Sequence, residues 1–275
     1  MESYWNRKTF CLVTGASRGI GRCIAQEFAK KVGPGSVFLL LARSLSGLES
    51  CREEILRHRN SDIFVSVAGV DLAQPNGAEY QVLIKSAMEQ GGRTMAEFDH
   101  VMIVQNAASL GIMSGLQVAE MDDLKEIQTY YAFNLDSFII LNSSFLKVFP
   151  ESSTQCRSVV HISSDGALEP FKTWGLYCAA KAARDMLLKS LALESGVHAL
   201  NWAPGCVNTD IYEEAVKYTA DPDLARFFEE SRKAGKVLSC EQTVTKLMKV
   251  LASKQFIKGE HVGYHEIPDV SNLWN

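Results

Sequence analysis

The stretch Thr9-Phe10-Cys11-Leu12-Val13-Thr14-Gly15-Ala16-Ser17-Arg18-Gly19-Ile20-Gly21 decides how this chain is read. Residues 9–13 form a short apolar run of the kind a buried strand shows, and residues from about 20 to 31 carry a helical period. Between them the glycines fall as Gly-x-x-x-Gly-x-Gly. The spacing Gly-x-Gly-x-x-Gly is not met, because Ile24 stands where its last glycine would be. A glycine turn between a first strand and a first helix lets the backbone pass close to a phosphate with no Cβ in the way. The helix N-terminus then offers free N–H groups and partial positive charge. Gly15, Ala16, Ser17, Arg18, Gly19, Ile20 and Gly21 are therefore candidates for holding the pyrophosphate of a dinucleotide.

Outward from this turn, strand-like runs recur at 36–42, 63–69, 100–104, 158–162 and 197–203. Helical stretches separate them at 48–59, 78–89, within 122–149, and at 176–194. The second and fifth strands are almost wholly apolar, as expected when both faces are covered. The alternation predicts an α/β protein: one domain over 1–275 with a doubly wound, Rossmann-type parallel sheet and right-handed crossovers. After Pro204 the pattern changes. Residues 208–236 hold two short charged helical stretches, either a substrate lid or a surface helical pair. A further helix at 241–252 and a last strand within 259–264 complete the chain.

Composition excludes several classes. With 47% apolar and 22% charged residues the chain is not disordered. A net charge of −4 argues against a nucleic-acid binder. The longest clearly apolar run, 37–42, falls far short of the ~20 residues of a membrane span. The polar first residues lack a signal-peptide core. Seven scattered cysteines with no Cys-x-x-Cys suggest neither zinc nor a disulfide framework, and the expected compartment is the reducing cytoplasm.

The end of the second strand predicts the cofactor. NAD binders place an acid there for the ribose 2′-hydroxyl. Here Arg43 and Ser44 occupy the place, with Arg18 in the glycine turn. A guanidinium fork binds a 2′-phosphate that a carboxylate would repel, so NADPH/NADP+ is expected.

Tyr177 and Lys181 lie on one side of a predicted helix. An ammonium beside a phenol lowers its pKa from about 10 and makes it a proton donor to a carbonyl oxygen. Tyr4 and Lys8 share the spacing but precede the first strand, away from the glycine turn. Ser163 and Ser164 end the fifth strand, at the carboxyl edge where such sheets hold ligands. A serine there either orients a substrate carbonyl or caps a turn. Asn106 and Ala107 follow the fourth strand at the same edge. Asn134 lies in the long helical stretch, where an asparagine is ordinarily solvated.

Taken together, these residues resemble the short-chain dehydrogenase/reductase family over nearly the whole chain. The turn 14–21 matches its cofactor motif, and Ser164, Tyr177 and Lys181 match its catalytic triad. The resemblance implies that Asn134 is a fourth member, fixing a water linked to Lys181, and that Lys181 also binds the nicotinamide ribose. It further implies that Asp71 and Leu72 contact adenine, and that Pro204, Gly205, Val207 and Thr209 form the loop holding the nicotinamide, with Gly205 also facing substrate. One motif departs: the usual Asn-Asn-Ala-Gly is here Gln105-Asn106-Ala107-Ala108. The segments 168–174, 176–187 and 201–205 are similar to members that reduce side-chain carbonyls of 6-substituted pterins, in tetrahydrobiopterin synthesis. Those members carry an aspartate in a His-Val-Asp stretch that anchors the pterin; here it reads His261-Val262-Gly263, with Glu266 or Asp269 as substitutes. A broader carbonyl or diketone reductase and a non-catalytic NADP(H)-binding protein are the alternatives. The family typically dimerises through the helices bearing Asn134 and Tyr177, which implies a homodimer.

Overall fold

The computed structural model describes residues 4–59, 62–111, 115–151, 156–194, 196–253 and 255–268. Seven parallel strands form one sheet: β1 (Thr9–Thr14), β2 (Val37–Ala42), β3 (Phe64–Gly69), β4 (His100–Gln105), β5 (Cys156–Ile162), β6 (His198–Ala203) and β7 (His261–Gly263). Their order is β3-β2-β1-β4-β5-β6-β7. The order reverses between β1 and β4, so the connections that leave their carboxyl ends run to opposite faces of the sheet and leave a crevice there.

Period-two alternation divides the buried strand residues between two cores. Cys11, Val13, Phe38 and Leu40 face one layer, with α1 (Gly19–Ala29), α2 (Leu45–Arg59) and α9 (Cys240–Ser253). Phe10, Leu12, Leu39 and Leu41 face the other, with α3 (Gly77–Gln90), α5 (Ser137–Val148) and α6 (Gly175–Glu194). Each fully buried Phe or Leu contributes roughly 1.5–3 kcal/mol, so the two-sided sheet carries most of the driving force. Trp202, fully buried on β6, satisfies its indole N–H with Thr243 Oγ1 of α9 at 3.1 Å. Among the described residues no helix is long and apolar enough to cross a membrane.

The expected long helix between β4 and β5 is divided. α4 (Leu124–Tyr131) passes through a π-helical turn, Ala132–Asp136, into α5. Residues 208–236 form two helices, α7 (Asp210–Tyr218) and α8 (Pro222–Lys233). Their apolar faces close a third, smaller core in which Tyr212, Ala215 and Phe228 join Leu110 and Trp174. Tyr4 and Lys8 take no part at the sheet's carboxyl edge. Tyr4 is buried, and its hydroxyl donates to Ser158 Oγ at 3.4 Å.

Candidate active site

The glycine turn is locked to the neighbouring strand by Thr14 and Asn106. Thr14 Oγ1 accepts from the backbone N–H of Asn106 (2.9 Å) and Ala107 (3.0 Å), and Asn106 Nδ2 donates to Thr14 O (3.0 Å). Gly15 takes φ +67°, the left-handed region that favours glycine. A Cβ on Gly21 would lie 2.5 Å from Gly15 O, so only glycine lets the helix begin this close to the turn. Beside the turn lies a cleft of about 600 Å³ lined by Gly15, Ser17, Arg18, Gly19, Ile20, Arg43, Ser44, Leu72, Asn106, Ala107 and Thr209. A second hollow of about 340 Å³ shares Arg43 and Phe133 with it and includes Asp71.

Several expected contacts do not face this cleft. Ala16 is fully buried in the core beside α1, because its Cβ points inward from the turn. Gly21 serves the turn's packing against Gly15 and Asn106. Pro204 and Val207 are buried, Val207 pairing with Leu238 beside the sheet. Gly205 has φ +75°, and a Cβ there would come within 3.3 Å of Leu238 and His265. Thr209 caps α7 through Tyr212 N while its flank lines the cleft. The two arginines differ. Arg18 pairs with Asp210 at the start of α7, across the cleft. Arg43 is exposed and has no ion-pair partner among the described residues.

At the carboxyl end of β5 the two serines diverge, as neighbours on an extended chain must. Ser164 Oγ accepts from Gly166 N at 3.2 Å and stays partly open, within hydrogen-bond reach of the Tyr177 phenol. Ser163 turns beneath the sheet's end: it is 2% exposed and donates to Asp185 Oδ1 at 2.6 Å. Its expected place against substrate is therefore corrected to a supporting one. Lys181 is buried and donates to Ile162 O at 2.6 Å, with Nζ 5.7 Å from the Tyr177 ring centre.

Electrostatics correct a second expectation. Desolvation pushes the Tyr177 phenol up to about 12, and Ser164 only partly offsets this. The Tyr177 ring is half-buried and meets Trp174 edge-on. Burial pushes Lys181 down to about 7, Arg184 adds repulsion, and Asp185 opposes both. Ser164 and Arg184 draw the phenol down, and desolvation outweighs both.

Asn134 is buried in the π-helical turn, contrary to a solvated helical asparagine. Its Oδ1 accepts from Ser109 N (3.0 Å) and its Nδ2 donates to Tyr130 O (3.3 Å). The side chain ties the loop after β4 to the turn. The turn exposes Asn134 O, which accepts from Arg184 Nε, while Arg184 Nη1 donates to Ala107 O at 3.1 Å. Thr14 was read only as part of the 14–21 motif, and Arg184 and Asp185 were not singled out. Two charges within one helical turn of Lys181 were the available signal for the latter pair.

Gly263 is buried at the end of β7, and its N–H donates to Glu266 Oε2 at 3.0 Å. A Cβ on Gly263 would lie 3.2 Å from Glu266 Cδ, so this carboxylate borders the space a side chain at 263 would enter. Asp269 lies outside the described residues.

Comparison with known proteins places the chain. Residues 9–219 match the family model described as short chain dehydrogenase. The chain is similar to sepiapterin reductase of Rattus norvegicus, 38% identical over 258 residues that cover 94% of this chain and 96% of the relative. It is 26% identical to benzil reductase ((S)-benzoin forming) of Bacillus cereus, covering 94% of this chain and 99% of that one. Among solved structures, the KRED1-Pglu enzyme matches with a TM-score of 0.75 at 24% identity, over 92% of this chain and 100% of that one. A short chain dehydrogenase from Burkholderia cenocepacia J2315, in complex with NADP, matches with a TM-score of 0.69 at 20% identity, over 94% and 96%. The chain belongs to the short-chain dehydrogenase family, and it is an oxidoreductase acting on CH–OH/C=O groups.

Proposed function

We propose that this short-chain dehydrogenase uses NADPH to reduce a ketone on the side chain of a 6-substituted pterin. The observation that carries the reading is the convergence of Ser164, Tyr177 and Lys181 at the end of β5, on the same carboxyl edge of the sheet as a glycine cradle that a Cβ would fill. Gly15, Ser17, Gly19 and Ile20 would hold the pyrophosphate, Arg43 and Ser44 the 2′-phosphate, and Leu72, Asn106 and Ala107 the adenosine half. Asp71 would approach adenine from the adjoining hollow. The bound cofactor supplies hydride to the carbonyl carbon. Ser164 orients the carbonyl oxygen, and Tyr177 gives it a proton. Lys181, tethered to Ile162 O, holds positive charge beside the phenol as that proton leaves.

In support of a pterin, the Glu266 carboxylate stands beside Gly263, where the resembled pterin reductases carry their aspartate. A carboxylate facing a guanidine-like edge makes a bidentate, charge-assisted contact. Glu266→Gln is expected to raise KM for sepiapterin by about tenfold, with turnover of a small diketone unchanged. Equal KM values would remove Glu266 from the site. The second reading, a broader diketone reductase, is favoured by Gly263 itself and by the likeness to benzil reductase. NADPH oxidation followed at 340 nm with sepiapterin and with benzil decides between them; no turnover with either would overturn both.

We place α7 and α8 as the substrate lid, since Phe228 stacks on Trp174 at 5.7 Å and Trp174 meets the Tyr177 ring edge-on at 5.3 Å. Ile139 on α5 with Met186, Leu187 and Leu193 on α6 are exposed apolar residues, and they support a homodimer through these helices. A cytoplasmic location accords with seven scattered cysteines that form no Cys-x-x-Cys.

A further inference from the structure

We propose that Asp185 is a positioning residue for the carbonyl-reducing site, a buried carboxylate that grips the ends of β5 and β7 and sets the place and charge of Lys181. The inference rests on the reaction proposed above. Asp185 is 4% exposed and lies one turn beyond Lys181 on α6. Its Oδ1 accepts from Ser163 Oγ at 2.6 Å and faces His161 Nδ1 at 3.1 Å; its Oδ2 faces His261 Nδ1 at 2.6 Å. Burial alone would push this carboxyl up, but hydrogen bonds from His161 and His261 hold it well below the usual carboxylate range. An ionised carboxylate only accepts, so both imidazoles present Nδ1–H to it.

The neighbouring atoms agree with that assignment. Asn201 Nδ2 donates to the carbonyls of Asp185 (3.3 Å) and Gly259 (3.0 Å), which turns its Oδ1 toward His161 Nδ1 at 3.1 Å. His161 Nδ1–H is then shared between two acceptors. Burial pushes His161 down to about 3, so the ring is neutral at physiological pH. The Nε2 atoms of His161 and His261 are buried with no hydrogen-bond partner among the described residues. Leaving two polar atoms unpaired is costly, and the cluster bears that cost around one carboxylate.

Its effect reaches the reacting groups by two short routes. Ser163 is flanked by Ile162, whose carbonyl tethers Lys181, and by Ser164. Lys181 lies over the Tyr177 ring, and of the charged groups acting on it among the described residues Arg184 repels its charge and Asp185, one helical turn away, supports it. Around Asp185 the charged and titratable groups are Lys181 and Arg184 on α6, His161 and Ser163 from β5, and His261 from β7; Asn201 of β6 is neutral.

The test is Asp185→Asn, with the Lys181 Nζ titration followed by NMR of ¹³C-lysine protein assigned through Lys181→Arg. We expect the Lys181 midpoint to move down by about one pH unit. The alkaline limb of kcat should move the same way, because the charged amine is lost at lower pH. The kcat at its optimum should fall about tenfold to a hundredfold with NADPH affinity kept. An unmoved midpoint, or a lower kcat with an unmoved midpoint, overturns the proposal. Should Asp185→Asn fail to fold, Ser163→Ala decides: it keeps the carboxylate, and an unchanged kcat overturns the β5 route. The titration needs no turnover. Wild-type protein inert toward every carbonyl would therefore refute the reaction while the midpoint still judged Asp185.

Discussion

Tyr177→Phe is expected to lower kcat for carbonyl reduction by about 10²–10⁴-fold, the range a positioned general acid supplies. NADPH affinity should stay within about twofold, since each 1.4 kcal/mol of lost binding would show as tenfold. The substitution deletes one oxygen and leaves the ring that packs against Trp174 and Gly166. Its effect therefore falls on the proton. A phenol held near 12 is fully protonated at neutral pH, as a proton donor must be. Hydride addition turns the carbonyl oxygen into an alkoxide, which is far more basic than a phenolate, so the transfer runs downhill without a depressed tyrosine pKa. Lowering the phenol pKa matters more for the reverse reaction, alcohol oxidation, where Tyr177 must first lose its proton. Single-turnover mixing of enzyme, NADPH and diketone checks the prediction. A Tyr177→Phe protein that keeps a tenth or more of the wild-type rate would show that another group delivers the proton.

The sheet was legible because its signals are local. Alternation in β1 and β2 sorts Phe10 and Leu12 from Cys11 and Val13 before any tertiary contact is known. Tyr177 and Lys181 were legible for the same reason, since one helical turn fixes their common side. The π-helical turn at 132–136 was not. One extra residue in a turn leaves the apolar pattern of a long helix nearly intact, so Asn134 read as a solvated residue and not as a buried tie. Ser163 and Ser164 were not separable in the sequence: extended backbone sends neighbours to opposite faces, but every residue of β5 is buried, so neither face was marked. The Asp185 cluster lay beyond reach. Residues 161, 163, 185, 201 and 261 meet only because β5, β6, β7 and α6 are adjacent in space. The pKa of Lys181 follows burial, which sequence spacing does not measure.

Arg43→Asp should invert the cofactor preference, weakening NADPH by about a hundredfold or more while NADH binds as well or better. Placing a carboxylate against a 2′-phosphate costs several kcal/mol through like-charge contact, besides the lost guanidinium fork. With NADH the same carboxylate accepts from the ribose 2′-hydroxyl, the contact NAD-selective sheets make at the end of β2. Arg43 is the arginine to change because it is uncommitted. Arg18 already pairs with Asp210 and must give up that partner before it can hold a phosphate. The effect should therefore reside mainly in Arg43, with Arg18→Ala costing less. Both arginines are exposed, so added salt should weaken wild-type NADPH binding and leave the variant's NADH binding nearly unchanged. Titration calorimetry with each cofactor at two salt concentrations measures all of this. An unaltered NADPH-to-NADH ratio in Arg43→Asp, together with a large loss in Arg18→Ala, would move the 2′-phosphate from the end of β2 to the glycine turn.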